Sequence, residues 1–343
     1  MKAVVKHEAG PGARLMDMPM PKVGPNDLLV KVGAAAICGT DSHIMDWTPF
    51  AQVRVKPPMI FGHEFAGDVI EVGERVTKFK VGDKVAADTH IPCGTCFQCQ
   101  TGNQHICEKM AILGVHCDGA FAEYLALPES CAWKIPASRS YEEGAVMEPM
   151  GVAVHSLLME RIDGKSVAVF GCGPIGMFAV ASAAACGASK IFAVELSPDR
   201  LAMVAKYVPS AIVLDAKQVD AVAEIRKQTN GLGADVSIEI AGVAATTNQA
   251  LKATRKNGRV SLTGLLGGPV SIDTVNDIIY KELRVYGTTG RHMWDTWYTM
   301  ESLLETGKVD PKPVITHRFP LEQYEEALAT AKGGSAGKVI LCP

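Results

Sequence analysis

Val167-Ala168-Val169-Phe170-Gly171-Cys172-Gly173-Pro174-Ile175-Gly176 is the stretch that decides the fold of this chain. A short apolar strand runs into a G-x-G-x-x-G pattern, and residues 177–186 read as the helix that follows. Gly171 permits a tight turn, Gly173 lets backbone approach a pyrophosphate, and Gly176 lets the helix pack closely on the strand. Free N–H groups and the positive dipole end at the helix start suit phosphate oxygens. A glycine pattern alone also describes a Gly-rich turn; here the strand before it and the helix after it supply the context of a dinucleotide site. Glu195 ends a second apolar strand 19 residues beyond Gly176. A carboxylate there accepts hydrogen bonds from the adenosine ribose hydroxyls and repels a 2′-phosphate, so it predicts NAD over NADP. The other reading of Glu195 is a cap on the next helix. Arg200 sits close enough to lie against the adenine or to tolerate some NADP.

Working outward, apolar strands at 166–170, 190–195, 211–215, 235–240, 259–262 and 283–286 alternate with helical patterns at 175–186, 199–207, 219–229 and 246–256. That alternation predicts an α/β domain built on a parallel, doubly wound sheet. Residues 1–145 differ: short alternating runs such as Leu28-Leu29-Val30-Lys31-Val32 are separated by Gly, Pro and Asp, the texture of a β-rich, barrel-like domain. After residue 290 come helical patterns at 295–305 and 321–332 and a closing strand at 338–341, a segment expected to return to the first domain. A chain of 343 residues suits two domains, and its formal net charge of −3 gives no electrostatic reason to expect nucleic acid or an anionic membrane as a partner. No apolar run reads as a membrane span, and the charged start does not read as a signal peptide, so a cytoplasmic protein is expected.

Ten cysteines are many for this length, and four of them crowd together. Cys93-x2-Cys96-x2-Cys99-x7-Cys107 places four thiols in 15 residues. Four thiolates complete a tetrahedron around zinc and leave no open position, which is the mark of a structural site. An iron–sulfur run has its fourth cysteine after three residues and before proline; here it follows seven and precedes Glu108. A nucleic-acid-binding zinc ribbon needs a basic surface, which this loop lacks.

A second constellation comprises Cys38-Gly39-Thr40-Asp41-x-His43 and Gly62-His63-Glu64. One thiolate and one imidazole from separate turns, with a carboxylate beside the imidazole, make an incomplete sphere around zinc and leave room for a small-molecule alcohol oxygen. Taken singly, His63 reads as a core histidine and Cys38 as a buried thiol; their company with a dinucleotide site favours catalysis.

These residues resemble the zinc-containing medium-chain alcohol dehydrogenases. Gly62-His63-Glu64-x2-Gly67-x5-Gly73-x2-Val76, the four-cysteine lobe and the domain order all match that family's pattern. The resemblance implies a GroES-like catalytic domain over 1–145 with a structural zinc lobe at about 90–110, a Rossmann domain over 146–290 and a return segment over 291–343. It implies NAD and two zinc ions per subunit, the catalytic one held by Cys38, His63 and either Glu64 or Glu148. It carries the proton path from Thr40, through the nicotinamide ribose, to His43 and solvent. Ile175, Glu195, Arg200, Leu262, Thr263, Gly264, Tyr286 and Gly287 are placed along the cofactor, and a homotetramer is expected.

Within the family the threonine dehydrogenase branch is similar at Ala36 to Ile44 with Trp47, at Gly290-Arg291-x-Met293-x2-Thr296-Trp297-Tyr298 and at Val314 to Phe319. Three positions depart from that branch. Thr48-Pro49-Phe50 stands where it carries an acidic residue, Cys117 where it has Arg, and Val152 where it has Asn. A zwitterionic substrate needs partners for both charges. A polyol or sugar dehydrogenase on the same scaffold therefore stays open as a second reading. A non-catalytic zinc and NAD binder is a third, opposed by intact Cys38, His63, Thr40 and His43.

Overall fold

The computed structural model describes residues 1–343. Two compact units emerge, one of residues 1–149 and 315–343, the other of residues 150–314. The segment after 290 thus packs with the second unit as far as Val314 and with the first from Ile315 onward.

The first unit is β-rich, as its alternating runs suggest. Its main sheet is centred on strand Asp27–Ala36, buried along most of its length and paired antiparallel with Glu64–Val72, Tyr124–Pro128 and Lys338–Cys342. Register positions the site. Ala36 stands opposite Glu64 on one side and Ile340 on the other. Cys38 follows the end of one strand and His63 precedes the start of its antiparallel neighbour, so the two meet at one sheet end. The turn into that neighbour depends on Gly62, whose φ of +89° is open to glycine; a Cβ there would also run into the Phe121 ring.

The second unit holds six parallel strands in the order Ile212–Asp215, Lys190–Glu195, Ser166–Phe170, Ala234–Glu239, Thr254–Leu262, Arg284–Gly287. In chain order that is 3-2-1-4-5-6, the doubly wound arrangement read from the sequence. Ser166–Phe170 is buried throughout, which explains its unbroken apolar run. Helix Pro174–Ala185 begins with proline in its first turn, where the ring removes only an N–H that has no helical partner. No helix is long and apolar enough to cross a membrane.

Candidate metal centres and cofactor pocket

A two-stranded pair, His90–Ile91 with Ala111–Ile112, closes the base of the cysteine lobe. Cys96 precedes the short helix Phe97–Gln100 that carries Cys99. The Cys96 sulfur lies 3.5 Å from that of Cys99 and 3.7 Å from that of Cys107, and all four sulfurs lie within 4.8 Å of one another. Zn–S bonds near 2.3 Å in a tetrahedron put sulfurs about 3.8 Å apart, so the cluster fits zinc. The backbone N–H groups of Cys93 and Lys109 both donate to the Cys107 sulfur at 3.3 Å. Backbone donation from Thr95 holds Cys93 down to about 6, whereas burial pushes Cys99 up to about 12.

The second cluster gathers Cys38, His63 and Glu64, with one ligand atom from each within 4.8 Å of the others. Cys38 stands immediately before helix Gly39–Met45, where the sequence suggests only a turn. Asp41 lies in its first turn, fully buried, and accepts the Cys38 N–H at 2.8 Å on Oδ2. Its Oδ1 lies 3.6 Å from His63 Nδ1, and neither atom has a hydrogen-bond partner. Asp41 thus faces the ring nitrogen that a metal-bound imidazole presents to a carboxylate, the usual arrangement around a zinc-ligating histidine. Burial opposes charge on His63, but the Cys38 thiolate and the Asp41 carboxylate outweigh it and hold the ring up at about 10. A pocket that draws a proton onto a buried histidine is electrostatically made for a cation. Cys38 and His63 fit a zinc ion.

The two acids proposed as further ligands are placed differently. Glu64 belongs to the cluster, yet both its oxygens accept hydrogen bonds from Lys338. Glu148, 7% exposed at the start of helix Met147–Leu157, accepts the Thr89 hydroxyl at 3.1 Å and is near enough to raise His63. Thr40 and His43 share helix Gly39–Met45, Thr40 half-buried and His43 exposed. His43 Nδ1 is 3.1 Å from the Thr48 hydroxyl, and its ring centroid is 5.7 Å from that of Phe50. Thr48 and Phe50, from one of the three segments that depart from the threonine branch, therefore flank the histidine.

In the second unit a cavity of about 410 Å³ opens beside Gly171, Gly173, Ile175, Glu195 and Arg200. A Cβ on Gly171 would meet Ala241 and one on Gly173 would find only the Arg200 guanidinium, so the loop is shaped for close approach of a ligand. Glu195 anchors the turn, accepting N–H groups from Cys172 at 2.9 Å, Leu196 at 2.6 Å and Ser197 at 3.1 Å. The Arg200 Nε is buried without a hydrogen-bond partner. These features fit the pyrophosphate and adenosine half of a dinucleotide. Gly176 supports from below, against Gly171.

Five other expected contacts lie elsewhere in the sheet. Leu262 and Gly287 are paired at the ends of the last two strands. The Thr263 and Gly264 N–H groups donate to the Glu239 carbonyl, while the Thr263 hydroxyl joins Ser156 and Thr288. Tyr286 donates its hydroxyl to Glu160 at 2.8 Å. Sequence reasoning missed the opposite wall of the cavity, which includes Ile240, Val243 and Thr246. The signal was present in the Ile240-Ala241-Gly242 end of an apolar strand.

A zinc-type thiolate–imidazole centre, a closed cysteine lobe and a dinucleotide loop define a zinc-dependent dehydrogenase. Residues 24–137 match the alcohol dehydrogenase GroES-like domain, and residues 174–306 match the zinc-binding dehydrogenase domain. The L-threonine 3-dehydrogenase of Bacillus licheniformis is 45% identical over 100% of this chain and 99% of its own length. That of Pyrococcus horikoshii is 44% identical over 99% of this chain and 98% of its own. Among solved structures, a Sinorhizobium meliloti zinc-binding dehydrogenase bound to NADP superposes with a TM-score of 0.92 at 32% identity, covering 100% of this chain and 99% of that one. The 2R,3R-butanediol dehydrogenase of Bacillus subtilis gives 0.90 at 33% identity, with the same coverage. The chain belongs to the zinc-containing medium-chain alcohol dehydrogenase family, and the fold class expected from its sequence is borne out.

Proposed function

We propose that this dehydrogenase oxidises the secondary hydroxyl of L-threonine to 2-amino-3-oxobutanoate, with NAD as acceptor. The observation that carries this reading is full-length identity of 45% to proteins of that activity, spread over both units. Bound zinc supplies Lewis acidity to the substrate hydroxyl, and bound NAD takes up the hydride. Cys38 and His63 are the residues that hold the ion, and Asp41 orients the His63 ring. Thr40 is assigned to receive the hydroxyl proton and His43, exposed and braced by Thr48, to release it to solvent; a bound nicotinamide ribose would link the two. Glu148, buried beside these ligands, is the acid we assign to exchange with water at the metal. Gly171, Gly173 and Ile175 receive the pyrophosphate, and Glu195 selects the unphosphorylated ribose. Leu262, Thr263, Gly264, Tyr286 and Gly287 are assigned to the rest of the cofactor. Two zinc ions per subunit, a homotetramer and a cytoplasmic location complete the reading.

A polyol or sugar substrate remains the second reading, because Thr48-Pro49-Phe50, Cys117 and Val152 replace polar or charged residues of the threonine branch. The deciding experiment measures NADH formation by zinc-replete protein with L-threonine, polyols, sugars and simple secondary alcohols. The largest kcat/KM is expected with L-threonine; inert threonine beside an active polyol overturns the assignment.

A further inference from the structure

His155 lies in the last turn of helix Met147–Leu157, and His292 lies in the loop that leads into helix Asp295–Glu305. The two imidazoles stand edge to face, with centroids 5.1 Å apart and planes at 66°. A ring nitrogen of one lies within 4.8 Å of a ring nitrogen of the other. Both rings line a cavity of about 200 Å³ inside the second unit, and Asp295 lines it with them. None of the three takes part in the dehydrogenase chemistry.

Burial, with His292 and Arg291 nearby, holds His155 down at about 4, so its ring is neutral at ordinary pH. A neutral imidazole has one N–H and one nitrogen lone pair. His155 gives a hydrogen bond to the Gly290 backbone. A ring N–H tied to backbone in this way fixes the tautomer, and it is the usual support of a metal-ligating histidine. Zn–N bonds of about 2.0–2.1 Å let one ion span nitrogens up to about 4 Å apart, so at most a small ring rotation is required. Arg291, fully buried, opposes further positive charge beside His155. The negative dipole end of helix Met147–Leu157 and the Asp295 carboxylate offset it. Imidazole and carboxylate together suit zinc, nickel or copper.

We propose that His155 and His292, with Asp295, bind one divalent transition-metal ion, separate from both cysteine-containing centres. The ion staples the end of helix Met147–Leu157 to the loop before helix Asp295–Glu305.

The test titrates ZnCl2 into tag-free, full-length protein that already carries two zinc ions, followed by calorimetry. One further ion is expected to bind. His292→Ala weakens its binding at least about tenfold, because losing a direct ligand costs no less than losing an outer-shell partner. Asp295→Asn weakens it in the same direction. Co²⁺ used as the probe shows ligand-field bands without the thiolate charge-transfer absorption that Co²⁺ bound to Cys38 or to the cysteine lobe gives. Added zinc raises the urea midpoint of the unmodified protein and leaves that of His292→Ala unchanged. A protein that takes up no third ion overturns the proposal. So does a third ion bound equally well by His292→Ala, or one whose cobalt form carries the thiolate band. Should His292→Ala fail to fold, His155→Gln decides by the same rule.

Discussion

A Cβ placed on Gly176 would overlap the carbonyl oxygen of Gly171, which ties the third glycine of the fingerprint to the first. The helix can start where it does because nothing stands between them. Gly176→Ala is expected to push helix Pro174–Ala185 away from its strand, at a cost of about 1–3 kcal/mol. It should weaken NAD binding at least as much as it lowers stability. Fluorescence titration with NADH alongside urea unfolding checks this; full affinity in a stable variant would show that the contact is relieved elsewhere.

The cysteine lobe is expected to hold zinc independently of turnover. Cys99→Ser removes a buried sulfur from a closed tetrahedron and should lower the zinc content from about two ions per chain to about one. Limited proteolysis should then cut within residues 93–107, which the intact protein protects. A variant that keeps both ions contradicts the structural role.

His43→Ala is expected to lower kcat roughly a hundredfold and to change its pH profile, the usual cost of losing a positioned proton carrier. Thr48→Val, which removes only the hydroxyl on His43 Nδ1, should cost about tenfold, the worth of one hydrogen bond. The zinc content and the Kd for NAD should be unchanged in both. Steady-state kinetics between pH 6 and 10 measures the pair, and normal turnover in His43→Ala returns that residue to the solvated surface.

His155 gives a pH effect of known sign. Burial, with help from His292 and Arg291, pushes it down to about 4. Its folded value lies below the ordinary 6.5, so it favours folding above pH 6.5, and that contribution is lost as pH falls from 6.5 to 4. The loss is about 3 kcal/mol over the window, with nothing further below pH 4. His155→Gln should flatten the fall in urea midpoint across this range. An unaltered slope would mean that other groups set the acid limit.

The local parts of this molecule were legible in its sequence, and the distant ones were not. Cys93, Cys96, Cys99 and Cys107 sit within one short loop, and Gly171 to Gly176 make a single turn, so spacing alone reports their geometry. The inner parallel strands were found because burial on both faces leaves apolar runs, and the more exposed edge strands Ile212–Asp215 and Arg284–Gly287 by their alternation with helical patterns. Strand Thr254–Leu262 begins five residues before its apolar part, because Arg255 to Asn257 are polar and partly exposed. Helix Gly39–Met45 was missed for want of reading Asp41 as its capping acid, three residues after Cys38. Lys338 left no trace at all: it meets Glu64 across 274 residues of chain, and only strand register brings them together.

That separation has a consequence for how the protein is made. Strand Lys338–Cys342 lies inside the main sheet, between Asp27–Ala36 and Ile315–Pro320. A ribosome delivers Cys38 and His63 early, and the pairing of Asp27–Ala36 with Glu64–Val72 sets them side by side, but the strand that brings Lys338 to Glu64 follows 274 residues later. The cysteine lobe, complete within one short loop, can take its ion during translation. Cys38 and His63 gain the buried cation behind them, Lys338, only when that strand joins the sheet.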